Sequence, residues 1–145
     1  MRIKKTSQYM EDGASLSNVY GTSDSNGYTQ EYINNLHTYS TTEQRIGTWS
    51  NGRTLYRKVI EFIGTPDSIP HNISNLSAVT KASGIVYRTE AVVVNQVLPH
   101  MDTDLTWIMD FNYFSSTNIV MLWGSQIKTH ISGGYIVLEY YKTTD

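Results

Sequence analysis

One stretch restricts what this chain can fold into more than any other. Thr54 to Ile63 reads Thr-Leu-Tyr-Arg-Lys-Val-Ile-Glu-Phe-Ile and follows Ser50-Asn51-Gly52-Arg53. Asn and Gly tolerate the positive φ of a tight hairpin, so these four residues mark a turn. Before it, Arg45 to Trp49 is a short strand candidate. After it, Leu55, Arg57, Val59, Glu61 and Ile63 point one way, and Tyr56, Lys58, Ile60 and Phe62 the other. Such alternation belongs to a sheet whose faces differ.

Further strand candidates follow, separated by turn residues. Gly64 to Asn75 reads as a loop, broken at Thr65-Pro66-Asp67 and Ile69-Pro70-His71-Asn72. Leu76 to Thr80 is a short strand. Gly84 to Asn95 is a longer one, and its far half is apolar on both sides, as in a strand covered on both faces. The chain turns at Leu98-Pro99-His100. Leu105 to Phe114 is aromatic-rich, with Trp107, Phe111 and Tyr113 on one parity. Ser115 to Asn118 is a turn, Ile119 to Trp123 a core strand, Gly124 to Ser132 a long polar loop, and Gly134 to Tyr141 the closing strand. Six or seven short strands with almost no helical period predict an all-β fold. The expected form is an antiparallel β-sandwich of jelly-roll type.

Residues 1–38 differ in character. Ser, Thr, Asn, Gln, Gly and Tyr dominate, and the aliphatics Ile3, Leu16, Val19, Ile33 and Leu36 are too sparse for a separate core. Asp24-Ser25-Asn26-Gly27 marks a turn, and Gln30 to His37 suits one or two helical turns with Tyr32, Ile33 and Leu36 on one face. Four tyrosines (Tyr9, Tyr20, Tyr28 and Tyr32), with Tyr39 just beyond them, exceed what a solvated linker needs. We therefore read 1–38 as an extended docking and oligomerisation arm, with Tyr20, Tyr28, Tyr32, Ile33 and Leu36 as its contact residues, and 39–145 as the sandwich domain.

Composition excludes several function classes. The 145 residues suit one domain. With 39% hydrophobic and 17% charged residues the chain is globular rather than disordered. A net charge of -2 offers no field for a nucleic acid backbone. Cysteine is absent, so neither disulfides nor thiolate metal sites arise. The basic start Met1-Arg2-Ile3-Lys4-Lys5 lacks the apolar segment of a secretory signal, and no run approaches the ~20 apolar residues of a membrane helix, so membrane insertion is not expected. Asn72-Ile73-Ser74 and Asn75-Leu76-Ser77 fit the glycosylation pattern by chance in an Asn- and Ser-rich loop.

Catalytic patterns are weak. No Gly-x-Ser-x-Gly elbow presents a serine. Glu61, Glu90 and Glu139 lie in strands, where pairing with Arg57, Arg88 or Lys142 explains them better than a glycosidase pair. Asp102-Thr103-Asp104 with Asp110 lacks the Gly and distal Glu of a calcium loop. His37, His71, His100 and His130 have no metal spacing; His71, in its loop, is expected to bond backbone. Neither enzyme activity, a cofactor nor a metal is expected. Trp49, Trp107 and Trp123 are the binding candidates, because flat aromatic faces stack on sugars and anchor interfaces. Trp123, with Tyr113 and Trp107, forms the candidate ligand site, although strand tryptophans mostly fill cores.

The pattern Tyr-Ser-Thr-x-Glu-x-x-Ile-Gly-Thr-Trp-x-x-Gly-x-x-Leu-Tyr-Arg-Lys over Tyr39 to Lys58 resembles one near the end of bacteriophage appendage proteins, in tail and head fibres. Ser68-Ile69-Pro70-His71-Asn72-Ile73-Ser74-Asn75 and Gly134 to Asp145 resemble the same family, in the same order. The resemblance implies a non-catalytic structural protein of the virion surface, made in the host cytoplasm. It further implies a homotrimer whose arm joins a capsid or tail protein, and a chain starting at Met1 with so short an arm is expected as a head fibre or decoration. The loops Gln96 to Asp104 and Gly124 to Ser132 would face outward, toward a host cell-surface glycan if the knob acts as a tail-fibre-type receptor module.

Overall fold

The computed structural model describes residues 30–90, 95–101, 103 and 105–144. Residues 1–38 and 39–145 form two units. In the first, helix α1 (Gln30–His37) occupies the predicted stretch. Thr38 Oγ1 donates to the Asn34 carbonyl at 3.2 Å and caps its end. Tyr20 and Tyr28, and the side chain of Tyr32, lie outside the described residues; Ile33 is half-buried and Leu36 exposed.

The second unit is an all-β sandwich. Strands β1 (Gln44–Thr48) and β2 (Thr54–Ile63) form the expected hairpin. Gly52 turns it with φ 86°, Trp49 N–H donates to the Arg53 carbonyl at 2.8 Å, and Asn51 Oδ1 accepts from Arg53 N–H at 3.0 Å. β3 (Ser68–Pro70), β4 (Leu76–Arg88), β5 (Asn95–Leu98), β6 (Met109–Phe114), β7 (Asn118–Trp123) and β8 (Ile131–Lys142) complete the described strands. They make a five-stranded sheet in the order β1-β2-β8-β4-β5 and a three-stranded sheet β3-β7-β6, with every pair antiparallel. The pairs β2–β8 and β3–β7 join distant parts of the chain in the nested manner of a jelly roll, whereas β4–β5 and β6–β7 are local hairpins.

Between the sheets lies the core. β2 supplies Ile60 and Phe62, β4 Val86, and β8 Ile136, Leu138 and Tyr140. Ile69, Met109, Ile119, Met121 and Trp123 face them from the small sheet. Each such side chain contributes roughly 1.5–3 kcal/mol of burial. The parity read for β2 holds: Tyr56, Lys58, Ile60 and Phe62 face inward. Lys58 escapes the apolar layer by donating to the His71 and Asn72 carbonyls at 3.1 and 2.9 Å.

Several elements depart from the sequence reading. Leu76 to Arg88 is one strand, because bulges at Leu76/Ala78 and Val79/Lys81 carry it through the stretch read as a gap. The Gly64 to Asn75 loop contains β3, where Pro70 is tolerated because the strand is an edge. Leu105–Trp107 is a 3-10 turn rather than strand, so Trp107 shares no parity with β6. A bulge between Phe111 and Tyr113 then separates those two, leaving Phe111 against the core and Tyr113 in solvent. The expected outward loop Gly124 to Ser132 is largely tied down: Ile127–His130 is a 3-10 turn with Ile127 fully buried. Gly124 N–H donates to the Ile108 carbonyl at 2.8 Å. In the other tip loop, Gln96 to Leu98 belongs to β5.

Candidate interaction surface

Four features follow from this frame: a buried histidine, a charged cluster at each end of the larger sheet and an open sheet face. His71 is almost fully buried. Its Nδ1 accepts from Ile73 N–H at 3.1 Å, which leaves the proton on Nε2, placed 3.2 Å from the Ser115 carbonyl to which it donates. The histidine thus bonds backbone, as expected from its loop. At one end of the sheet, Arg88 pairs with Glu90 and donates to Gln96 Oε1 at 2.6 Å. The Arg88 guanidinium holds the Glu90 carboxyl at about 2, against an ordinary 4.5. His130 Nδ1 stands 3.3 Å from the same carboxylate, and the Trp107 ring stacks on His130 with centroids 5.2 Å apart. At the opposite end, Glu43 accepts from the buried Tyr140 hydroxyl and from Lys142 Nζ, each at 2.6 Å. Burial and then the Glu43 charge push the Tyr140 phenol well above its ordinary range, which keeps it neutral.

The open feature is the outer face of the five-stranded sheet. The register sets its side chains in rows across β2, β8, β4 and β5. Arg57, Glu139 and Lys81 form a charged row. Val59, Val137 and Ser83 form the next, then Glu61, Tyr135, Ile85 and Val97, and last Ile63, Gly133 and Tyr87. Beyond the charged row the face is apolar except at Ser83 and the exposed Glu61. Ile63 is 90% exposed and Val97 64%, and Tyr87 is exposed beside the edge of the Tyr135 ring. The face forms a groove of about 1030 Å³. Residues 39–41 line its rim: Ser40 accepts from Val59 N–H at 2.9 Å, and the Tyr39 ring lies 4.2 Å from the Arg57 guanidinium, covering that charge. Its exposed apolar end, Ile63, Val97 and Tyr87, makes it the candidate contact surface.

The residues singled out from sequence fall elsewhere. Trp123 is a correction: only 7% of it is exposed, its ring packs on Phe62, and its indole N–H donates to the Pro66 carbonyl at 2.8 Å. No face is left for a ligand. Trp107 is half-buried between His130 and the Arg88 guanidinium. Tyr113 is 56% exposed and lies opposite Val120 in the small sheet. The three therefore do not form one site. Glu139 lies opposite Arg57 and Lys81, an ordinary cross-strand pairing, whereas Glu90 sits in the bend that follows β4 rather than in a strand and pairs locally with Arg88. Asp102 and Asp104 lie outside the described residues, and among the described residues no three His, Asp or Glu side chains gather for a metal. No helix among them is long and apolar enough to cross a membrane. The sheet face itself left a trace in the sequence: Leu55, Val59 and Ile63 share the outward parity of β2, where a solvated face would carry polar residues.

No family model, no curated protein and no solved structure matches this chain.

Proposed function

We propose that this chain is a structural protein of a bacteriophage particle, a homotrimeric head-fibre or decoration appendage without catalytic activity. Residues 1–38 attach it to a capsid or tail protein, and 39–145 project as a knob. One observation carries the reading. The three segments that resemble phage appendages, the third far from the other two in sequence, knit into one frame. β2 from the first pairs with β8 from the third. Lys58 of the first holds the His71 and Asn72 carbonyls of the second. Thr143 N–H of the third donates to the Asn75 carbonyl of the second at 2.9 Å. Residues that recur because they brace a sandwich suit a display scaffold, whose chemistry is shape and contact rather than bond-making.

The test is incorporation. In particles assembled with the full chain, the protein should co-sediment with them through a density gradient; the chain lacking residues 1–38 should stay at the top while host adsorption is unchanged. A full chain that never accompanies the particle removes the proposal. A receptor- or carbohydrate-binding knob is the second reading, favoured by the exposure of the Tyr113 ring. It requires that Tyr113→Ala in an intact particle lower adsorption.

A further inference from the structure

We infer that Asn51 is a latent deamidation site, and that its conversion is gated by opening of the hairpin turn between β1 and β2. The inference goes beyond the appendage reading and does not depend on it. Asn51-Gly52 stands at the hairpin tip, and both residues are exposed. Asparagine deamidates when the backbone nitrogen of the next residue attacks its side-chain amide carbon. Glycine obstructs that approach least, having no side chain. Exposure alone does not single Asn51 out. Asn72 and Asn75 are exposed and have left-handed φ values of 51° and 58°, yet Ile73 and Leu76 follow them.

The reaction needs only water as co-reactant. Gly52 N bonds to Asn51 Cγ while the Cγ–Nδ2 bond breaks. The Gly52 amide proton leaves with the departing nitrogen as ammonia, and a succinimide ring is formed. Water then adds to either imide carbonyl and opens the ring to aspartate or isoaspartate. Both products put a carboxylate where the amide stood, and isoaspartate also routes the backbone through Cβ.

In the folded hairpin every group this reaction uses is engaged elsewhere. Gly52 N–H, which must give up its proton, donates to the Trp49 carbonyl at 2.8 Å. Asn51 Oδ1 accepts from Arg53 N–H at 3.0 Å, which fixes the side-chain amide. Trp49 N–H closes the turn on the Arg53 carbonyl at 2.8 Å. Arg53 also tethers the turn to the central strand of the larger sheet. Its guanidinium donates to the Lys142 carbonyl of β8 and lies 5.6 Å from the Tyr141 ring. Attack therefore waits until these bonds open, and its rate follows the fraction of time the turn is open.

The test is incubation of the full chain in mildly alkaline buffer, folded and in guanidinium chloride, followed by peptide mapping with mass spectrometry. Mapping also separates Asn51 from Asn26, whose Asn-Gly pair lies outside the described residues. In denaturant, Asn51 should convert about tenfold faster than Asn72 and Asn75 or more, because glycine follows it. In the folded chain, Asn51 should convert about tenfold more slowly than in denaturant or slower still. Arg53→Ala removes the tether and leaves Asn51, Gly52 and the backbone donors in place. It should raise the folded rate about threefold or more and leave the denatured rate unchanged. Lys128→Ala, which breaks only an exposed ion pair, should change neither rate. Equal rates at Asn51, Asn72 and Asn75 in denaturant would remove the site. A folded rate equal to the denatured one, or an Arg53→Ala chain no faster than the wild type, would remove the gate.

Discussion

His71 has two buried hydrogen-bonding duties, one on each ring nitrogen, and no apolar side chain can take over either. His71→Leu keeps most of the volume but strands the Ile73 N–H and the Ser115 carbonyl away from water. An unmet buried polar group costs about 1–3 kcal/mol, so the urea midpoint should fall by a clearly measurable step with an unchanged m-value. Lys128→Ala gives the contrast, because its ion pair with Asp67 is exposed on both sides and should leave the midpoint in place. At this scale the sequence was partly legible. A histidine wedged into Pro70-His71-Asn72 signals backbone bonding because a loop offers unpaired amides. The burial of Trp123 was legible only as the general tendency of strand tryptophans: in the apolar run Ile119 to Trp123 both parities look alike, and the indole N–H partner, Pro66, is remote in sequence.

At the scale of elements, the sheet depends on how closely β4 and β8 approach. A Cβ on Gly134 would stand 2.2 Å from the Ile85 carbonyl oxygen, and one on Gly84 2.2 Å from that of Tyr135. Both obstacles are backbone, which cannot swing aside as a flexible side chain can. Gly134→Ala should therefore force the two strands apart and destabilise the domain by about 1–3 kcal/mol, the usual range for overpacking. Gly52→Ala meets open space at its turn and bears only the conformational cost of positive φ, about 1 kcal/mol. Midpoints of the two variants, compared in one denaturant series, should rank in that order. The same pair of strands marks the limit of reading elements from sequence. β2 alternates without interruption and was legible from end to end. β4 contains bulges that shift its parity, so its alternation fails around Lys81 although the strand continues. β3 was hidden because three residues ending in proline carry no period at all.

For the whole molecule, the controlling fact is that the last strand occupies the middle of the larger sheet. β8 lies between β2 and β4 and contributes Ile136, Leu138 and Tyr140, all fully buried. Alternation announced each strand separately, but which strands pair across 70 or more positions depends on shape complementarity across the core, and local patterning does not encode it. The topology has a consequence for synthesis. Until β8 is available, β2 and β4 have no partner between them, so the larger sheet is reduced to the hairpins β1–β2 and β4–β5 and the small sheet has no finished sheet to pack on, and a two-stranded hairpin is marginal in water. A chain ending after His130 should show no cooperative thermal transition and should be cut rapidly by protease, whereas loss of Asp145 alone should change neither. Supplying residues 131–145 as a separate peptide should restore protease resistance with a rate that depends on peptide concentration, because the missing strand then has to find its slot from solution. A truncated chain that melts cooperatively by itself would mean that β2 and β4 close on each other, and the central place assigned to β8 would be wrong.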